Sequence, residues 1–215
     1  MRRLDLSLYL VTDRHLARTG SVESIAAEAL KGGVTMVQLR EKDLGAGDIM
    51  KQALRLKELT DGYGVPLIIN DRLDIALACR AAGVHLGQED LPCAAARRIA
   101  GREFIIGVSV SKTAEALEAE GQGADYLATS PVFSTATKTD APIPLGVRGL
   151  VEIRRHTRLP LVAIGGLHAG NAAEIIQAGA DGIAVVSAIM ASPSPRAAAM
   201  ELRLAVERAR GVHKG

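Results

Sequence analysis

Short aliphatic and β-branched runs alternate along this chain with longer segments whose apolar positions recur at three- and four-residue intervals. The short runs are SLYLVTD (7–13), MVQLRE (36–41), PLIIND (66–71), GVHLGQ (83–88), FIIGVSV (104–110), DYLATSPV (125–132), LVAIGG (161–166) and GIAVVSA (182–188). Their length and composition predict eight strands. Between them, Ile25, Ala29 and Leu30, then Ile49, Ala53 and Leu56, then Ala172, Ile175 and Ile176 each form one apolar stripe, the pattern of a helix that lays one face on a sheet. Gly33, Gly64, Gly83, Gly123 and Gly179 fall where a left-handed residue closes a helix, and Ser194-Pro195 reads as a cap and first residue of the last helix.

Repeated strand-helix units without a hairpin signal predict parallel strands joined by right-handed crossovers, and eight such units close into a barrel. The expected fold is therefore α/β, a single-domain (β/α)8 TIM barrel over residues 1–215. An open doubly wound sheet is the alternative, but LYLVTDRHLARTG lacks the glycine-rich turn such a sheet carries after its first strand. The longest connection, residues 133–146, is a candidate lid.

Composition narrows the function classes. Hydrophobic residues make up 48% of the 215, enough for a sizeable core. The 26 basic and 24 acidic residues are interspersed for a net charge of +2, so no charged face suggests a nucleic acid or membrane partner. With three Tyr, two Phe and no Trp, a base-stacking platform is hard to assemble. No run approaches the ~18 apolar residues of a membrane span, and MRRLDLSLYLVTDR lacks a cleavage-site pattern, so a cytoplasmic location is expected. Cys79 and Cys93 lack metal-ligand spacing and read as buried or half-buried small hydrophobes.

Candidate chemistry lies at the strand ends, because barrels of this kind build their sites from the loops at the carboxyl ends of the strands. Gln38, Arg40 and Lys42 alternate with Val37, Leu39 and Glu41. In a barrel covered on both faces, Val37 and Leu39 meet the helices, and Gln38 and Arg40 point inward. Asp71 and Asp90 end neighbouring strands and admit two readings. Each precedes a helical segment and could cap it. Alternatively, since adjacent strands lie about 5 Å apart, the two carboxylates meet across the rim and share a cation, for which oxygen ligands suit Mg²⁺. An ion held by two carboxylates calls for a further anionic ligand such as a diphosphate, with Arg40, Lys42 and Lys138 supplying positive charge. Across the rim, Gly165-Gly166 and Ser187 stand where barrels bind a phosphomonoester, and SPVFSTATKTD brings Thr135, Thr137 and Lys138 between the two anion sites. His85 reads as a packed, hydrogen-bonded core residue rather than a ligand. The residues thus point to two phosphorylated small-molecule substrates meeting at a barrel mouth.

LYLVTD, VQLREK, IINDRLDIAL, GVHLGQED, IIGVS, SPVFSTATK, VAIGG and ADGIAVVSAI together resemble the thiamine-phosphate synthase family, in order and over nearly the whole chain. The resemblance implies a transferase that joins 4-amino-2-methyl-5-(diphosphooxymethyl)pyrimidine to a thiazole phosphate with loss of pyrophosphate. Carried over by motif, it implies that Gln38, Arg40, Lys42, Asn70, Ser109 and Lys138 hold the pyrimidine diphosphate, with Arg40, Lys42 and Lys138 stabilising the leaving group. It assigns Mg²⁺ to Asp71 and Asp90, and the thiazole phosphate to Thr135, Thr137, Gly166, Val186 and Ser187. Arg72, Val110-Ser111 and Ser130 depart from the family pattern around the pyrimidine pocket. The competing readings are the related thiazole tautomerase, which has no need of a diphosphate site, and a non-catalytic barrel that binds the same phosphates. An Ala-rich, aliphatic outer helix ring would permit a homo-oligomer.

Overall fold

The computed structural model describes residues 4–134 and 143–212. Eight parallel strands close on themselves in chain order, β1 (Leu8–Val11), β2 (Met36–Leu39), β3 (Leu67–Asn70), β4 (Gly83–Leu86), β5 (Ile105–Val110), β6 (Tyr126–Thr129), β7 (Leu161–Ile164) and β8 (Gly182–Val185), with β8 pairing back onto β1. This is a single-domain (β/α)8 TIM barrel, as the strand-helix alternation predicts. The surrounding helices are α1 (Val22–Lys31), α2 (Ala46–Gly62), α3 (Leu73–Ala78), α4 (Cys93–Ala100), α5 (Thr113–Gly121), α6 (Gly146–His156), α7 (Ala169–Gln177), α8 (Ser187–Met190) and α9 (Pro195–Val212). Among the described residues no helix is long and apolar enough to cross a membrane.

Each strand divides its side chains by the two-residue period. Leu8 and Leu10 of β1, and Val37 and Leu39 of β2, face outward into the main core, where they meet the predicted stripes of α1, α2 and α7. Those stripes are buried throughout, Leu56 and Ile175 to 0% exposure, and burying one such side chain contributes roughly 1.5–3 kcal/mol. Tyr9, Val11, Met36, Ile68, Ile105, Tyr126, Val162 and Ala184 point inward and fill the barrel. Cys79 and Cys93 are both buried free thiols, as their Ala-rich surroundings predict.

Gly33, Gly64, Gly123 and Gly179 have φ of 96°, 65°, 91° and 104°, the left-handed conformation expected after a helix. Gly83 is a correction to that expectation. The left-handed residue after α3 is Arg80, with φ 54°, and Gly83 instead opens β4. A side chain there would collide with the carbonyl of Ile105 on the adjacent strand, so what selects glycine is close backbone approach. Pro195 does begin the last helix.

Candidate active site

A cavity of about 610 Å³ opens at the carboxyl ends of the strands, with side chains from all eight strands or the loops that follow them in its wall. Its floor is polar although buried. Tyr9 and Tyr126, both fully buried, approach hydroxyl to hydroxyl at 3.0 Å across the barrel. Gln38 Nε2 donates to the Tyr9 hydroxyl at 2.6 Å, Tyr126 Oη lies 3.0 Å from His85 Nδ1, and His85 Nε2 lies 2.9 Å from Ser109 Oγ. The Tyr126 ring stacks on the His85 imidazole at 5.6 Å between centroids. Gly107 makes room for that ring, since a side chain at 107 would overlap it. Burial disfavours charge on this floor, pushing the His85 pKa down to about 4 and raising that of Tyr9. His85 is thus a hydrogen-bonded core residue, in line with its sequence context.

Charge gathers on the rim above β2, β3 and β4. Asp71 follows β3 in a left-handed conformation, φ 60°, which Asp tolerates better than most residues, and its amide donates to the carbonyl of His85 at 2.8 Å. The chain then turns away into α3. Asp90 Oδ2 accepts from the amide of Gly87 at 2.6 Å, an anchor in its own loop. Neither aspartate caps the helix that follows. The cap positions are Arg72 for α3 and Pro92 for α4, and neither helix has a side-chain cap. Both carboxyls instead line the one cavity, close enough for Asp71 to act on Asp90. Burial first, and then the facing Asp71 carboxyl, push the Asp90 pKa up, while the Gly87 amide and Lys42 oppose the shift. Lys42 Nζ donates to Asp71 Oδ2 at 2.6 Å. Arg40 reaches Asp13 at 4.0 Å and lines the cavity with Asn70.

On the opposite side, Gly165 and Gly166 have φ of 107° and 65°, and the amide of Phe133 donates to the carbonyl of Gly165 at 3.1 Å. A side chain at 166 would strike Phe133 and the carbonyl of Ser134, so the glycine pair lets the loop after β6 lie against the end of β7. Val186 and Ser187 follow β8 into α8 and line the same cavity.

Gln38, Arg40, Lys42, Asn70, Asp71, Asp90, Ser109, Gly166, Val186 and Ser187 therefore share one cavity. Thr135, Thr137 and Lys138, with most of the proposed lid, lie outside the described residues. Of the three departures from the family pattern, Arg72 turns outward onto Asp74, with its Nε 2.9 Å from Oδ1, whereas Val110, Ser111 and Ser130 do line the cavity. Tyr9, which lines the cavity, and Tyr126, hydrogen-bonded to it from beneath, are among the residues that sequence reasoning passed over. Their signal was present: both occupy inward positions in strands whose outward neighbours are aliphatic.

A (β/α)8 barrel with a charged, polar-floored cavity at its catalytic end defines a class, the barrel enzymes that act on small molecules held at the mouth. The profile of one family within it, described as thiamine monophosphate synthase, matches residues 8–189. The thiamine-phosphate synthase of Albidiferax ferrireducens is 51% identical over 202 residues, covering 94% of this chain and 92% of the relative. That of Chloroflexus aurantiacus is 50% identical over 203 residues, covering 94% of each. The solved thiamine phosphate pyrophosphorylase from Pyrococcus furiosus superposes with a TM-score of 0.88 at 42% identity, covering 96% of this chain and 98% of that one. The chain belongs to the thiamine monophosphate synthase family, and with that membership it is a transferase.

Proposed function

We propose that this enzyme condenses 4-amino-2-methyl-5-(diphosphooxymethyl)pyrimidine with a thiazole phosphate, giving thiamine phosphate and pyrophosphate in a Mg²⁺-dependent reaction. The observation that carries the reading is the facing pair Asp71 and Asp90 at the cavity mouth, with Arg40 and Lys42 beside it. The donor set fits Mg²⁺. Two hard carboxylate oxygens, one on a group whose anionic form is disfavoured while it faces the other, leave room for water and substrate phosphate, the usual Mg²⁺ arrangement. Among the described residues no group of three or more His, Cys, Asp or Glu is placed to hold a metal ion, so the proposed ion rests on these two carboxylates and on substrate. When bound, Mg²⁺ supplies charge neutralisation to the departing diphosphate.

The chain's own side chains carry the remaining work. Gln38, Asn70 and Ser109 hold the pyrimidine diphosphate against the floor. Arg40 and Lys42, with Lys138, stabilise negative charge as the carbon-oxygen bond between the pyrimidine methylene and the diphosphate breaks. The electron pair leaves with pyrophosphate, and the resulting pyrimidine cation is captured by the thiazole nitrogen, which forms the new carbon-nitrogen bond. Gly166, Val186 and Ser187, with Thr135 and Thr137, hold the thiazole phosphate so that the nitrogen faces the methylene, and alignment of the rings lowers the barrier further. No protein base is needed. A thiazole tautomerase would have no use for the acidic pair and its cations, and the similarity to thiamine-phosphate synthases favours the synthase.

Pyrophosphate release tests the reading. Purified protein is expected to release it only with both substrates and Mg²⁺ present. Release from the pyrimidine ester alone, or undiminished release in a chelator, contradicts the proposal.

A further inference from the structure

The segment between β2 and α2 carries Lys42 to the rim, and its main chain is not what holds it there. β1 and β2 stay zipped as far as Thr12 and Arg40, the Thr12 amide donating to the carbonyl of Gln38 at 2.9 Å and the Arg40 amide to Thr12 Oγ1 at 3.1 Å. From Glu41 to Leu44, no main-chain group makes a hydrogen bond among the described residues. The hold passes instead to side chains of the short 3-10 turn Arg14–Leu16 that follows β1. Arg14 Nε donates to Glu41 Oε2 at 3.0 Å, and Arg14 Nη2 lies 3.5 Å from Asp43 Oδ2. One planar guanidinium therefore spans the two chain neighbours of Lys42. His15 Nε2, 3.0 Å from the same Asp43 oxygen, adds a second tie. Glu41 and Asp43 are not in the cavity wall, whereas Lys42, between them, lines the cavity and reaches Asp71 Oδ2 at 2.6 Å.

Stability alone does not account for Glu41. Its side chain is 2% exposed, and its Oε1 has no hydrogen-bond partner among the described residues. Burial raises its pKa, and the Arg14 charge opposes that shift. Packed apolar atoms in place of such a group often leave a fold as stable or more so, whereas a rigid guanidinium fork on carboxylates fixes a direction. We infer that Arg14, bridging Glu41 and Asp43 from behind the site, is a positioning residue that aims Lys42 at the departing diphosphate. The inference rests on the proposed reaction and deepens it by naming what holds one of its cations. Arg40 needs no such brace, since its own amide is still tied to Thr12. Lys42 carries its charge on a flexible four-carbon stem, so its aim depends on the backbone beneath it. A misplacement of about 1 Å caused by a change away from the chemistry costs up to ~100-fold in rate.

The test has two arms on the full chain, each read in four proteins: wild type, Arg14→Met, Lys42→Met and the double variant. Arg14→Met keeps the aliphatic stem and removes the fork. In a steady-state pyrophosphate-release assay it is expected to lower kcat about tenfold and to leave KM for the thiazole phosphate unchanged. Because Arg14 acts through Lys42, the double variant is expected to be no slower than Lys42→Met, a non-additivity that general damage to the barrel does not produce. The second arm measures binding of inorganic pyrophosphate in the presence of Mg²⁺ by calorimetry. Arg14→Met is expected to weaken it in the wild-type background and to change nothing in the Lys42→Met background. Glu41→Gln serves as the second variant if Arg14→Met does not fold, and is expected to show the same pattern. Losses that multiply in the double variant, or a wild-type kcat in Arg14→Met, overturn the inference. Absence of turnover in the wild-type protein defeats the proposed reaction instead, and the pyrophosphate arm still decides whether Arg14 acts through Lys42. A wild-type protein that binds no pyrophosphate defeats both.

Discussion

Gly107→Ala is the smallest change that reaches both the fold and the floor of the site. The added methyl group lands on the Tyr126 ring, which is fully buried and stacked on His85, so the ring has to move. Overpacking of this kind costs about 1–3 kcal/mol. Displacing the Tyr126 hydroxyl also strips His85 Nδ1 of its hydrogen-bond partner, and a buried unpaired polar group costs a further ~1–3 kcal/mol. The expected destabilisation is therefore about 2–6 kcal/mol, a large share of the 5–15 kcal/mol typical of a domain. Urea unfolding followed by circular dichroism measures it as a lower midpoint. Tyr126→Leu in the Gly107→Ala background removes the overlapping ring atoms and is expected to restore part of the loss, so the two changes combine less than additively. A loss below about 1 kcal/mol with an unchanged m-value would refute the reasoning, because it would mean that the barrel interior yields to the extra carbon.

Lys42→Met removes a half-exposed ion pair with Asp71, so stability is expected to change by less than ~1 kcal/mol while turnover falls about 100-fold or more. A thermal melt and a pyrophosphate assay separate the two effects, and a loss of turnover below tenfold speaks against its role on the leaving group. His85 gives a pH prediction. Its folded pKa of about 4 lies below the ordinary 6.5, so on acidification the unfolded chain takes up the proton first. Its contribution to stability is therefore complete above pH 6.5 and declines by about 3 kcal/mol as pH falls toward 4. Asp90 shifts the other way, so the quantity to compare is the slope of stability against pH in wild type and in His85→Gln. Wild type is expected to be the steeper, and parallel slopes in this window contradict the assignment.

The barrel was legible in the chain because a parallel strand flanked by one-faced helices leaves a regular trace: an apolar run, a cap, a stripe, a glycine. Gly83 shows where that trace misleads. A glycine after a helical segment serves equally a left-handed turn or a tight strand approach, and only the position of the Ile105 carbonyl distinguishes them. Asp71 and Asp90 posed a similar ambiguity, since a carboxylate ahead of a helix has the same local sequence whether it caps or turns to its neighbour. The register of β3 on β4, with Asn70 opposite His85, brings the two strand ends together. Tyr9 and Tyr126 were readable as inward residues, but their meeting depends on β1 and β6 lying across the barrel from one another, a relation the linear pattern does not carry. Thr135, Thr137 and Lys138 rest on the family motif.

The account stands most directly on the shared ion. Calorimetric titration of Mg²⁺ into the protein saturated with pyrophosphate, less the heat of the same titration into pyrophosphate alone, is expected to report one ion per chain, and Asp71→Ala and Asp90→Ala are each expected to abolish that difference. Binding that survives in both variants would contradict a metal held between the two carboxylates.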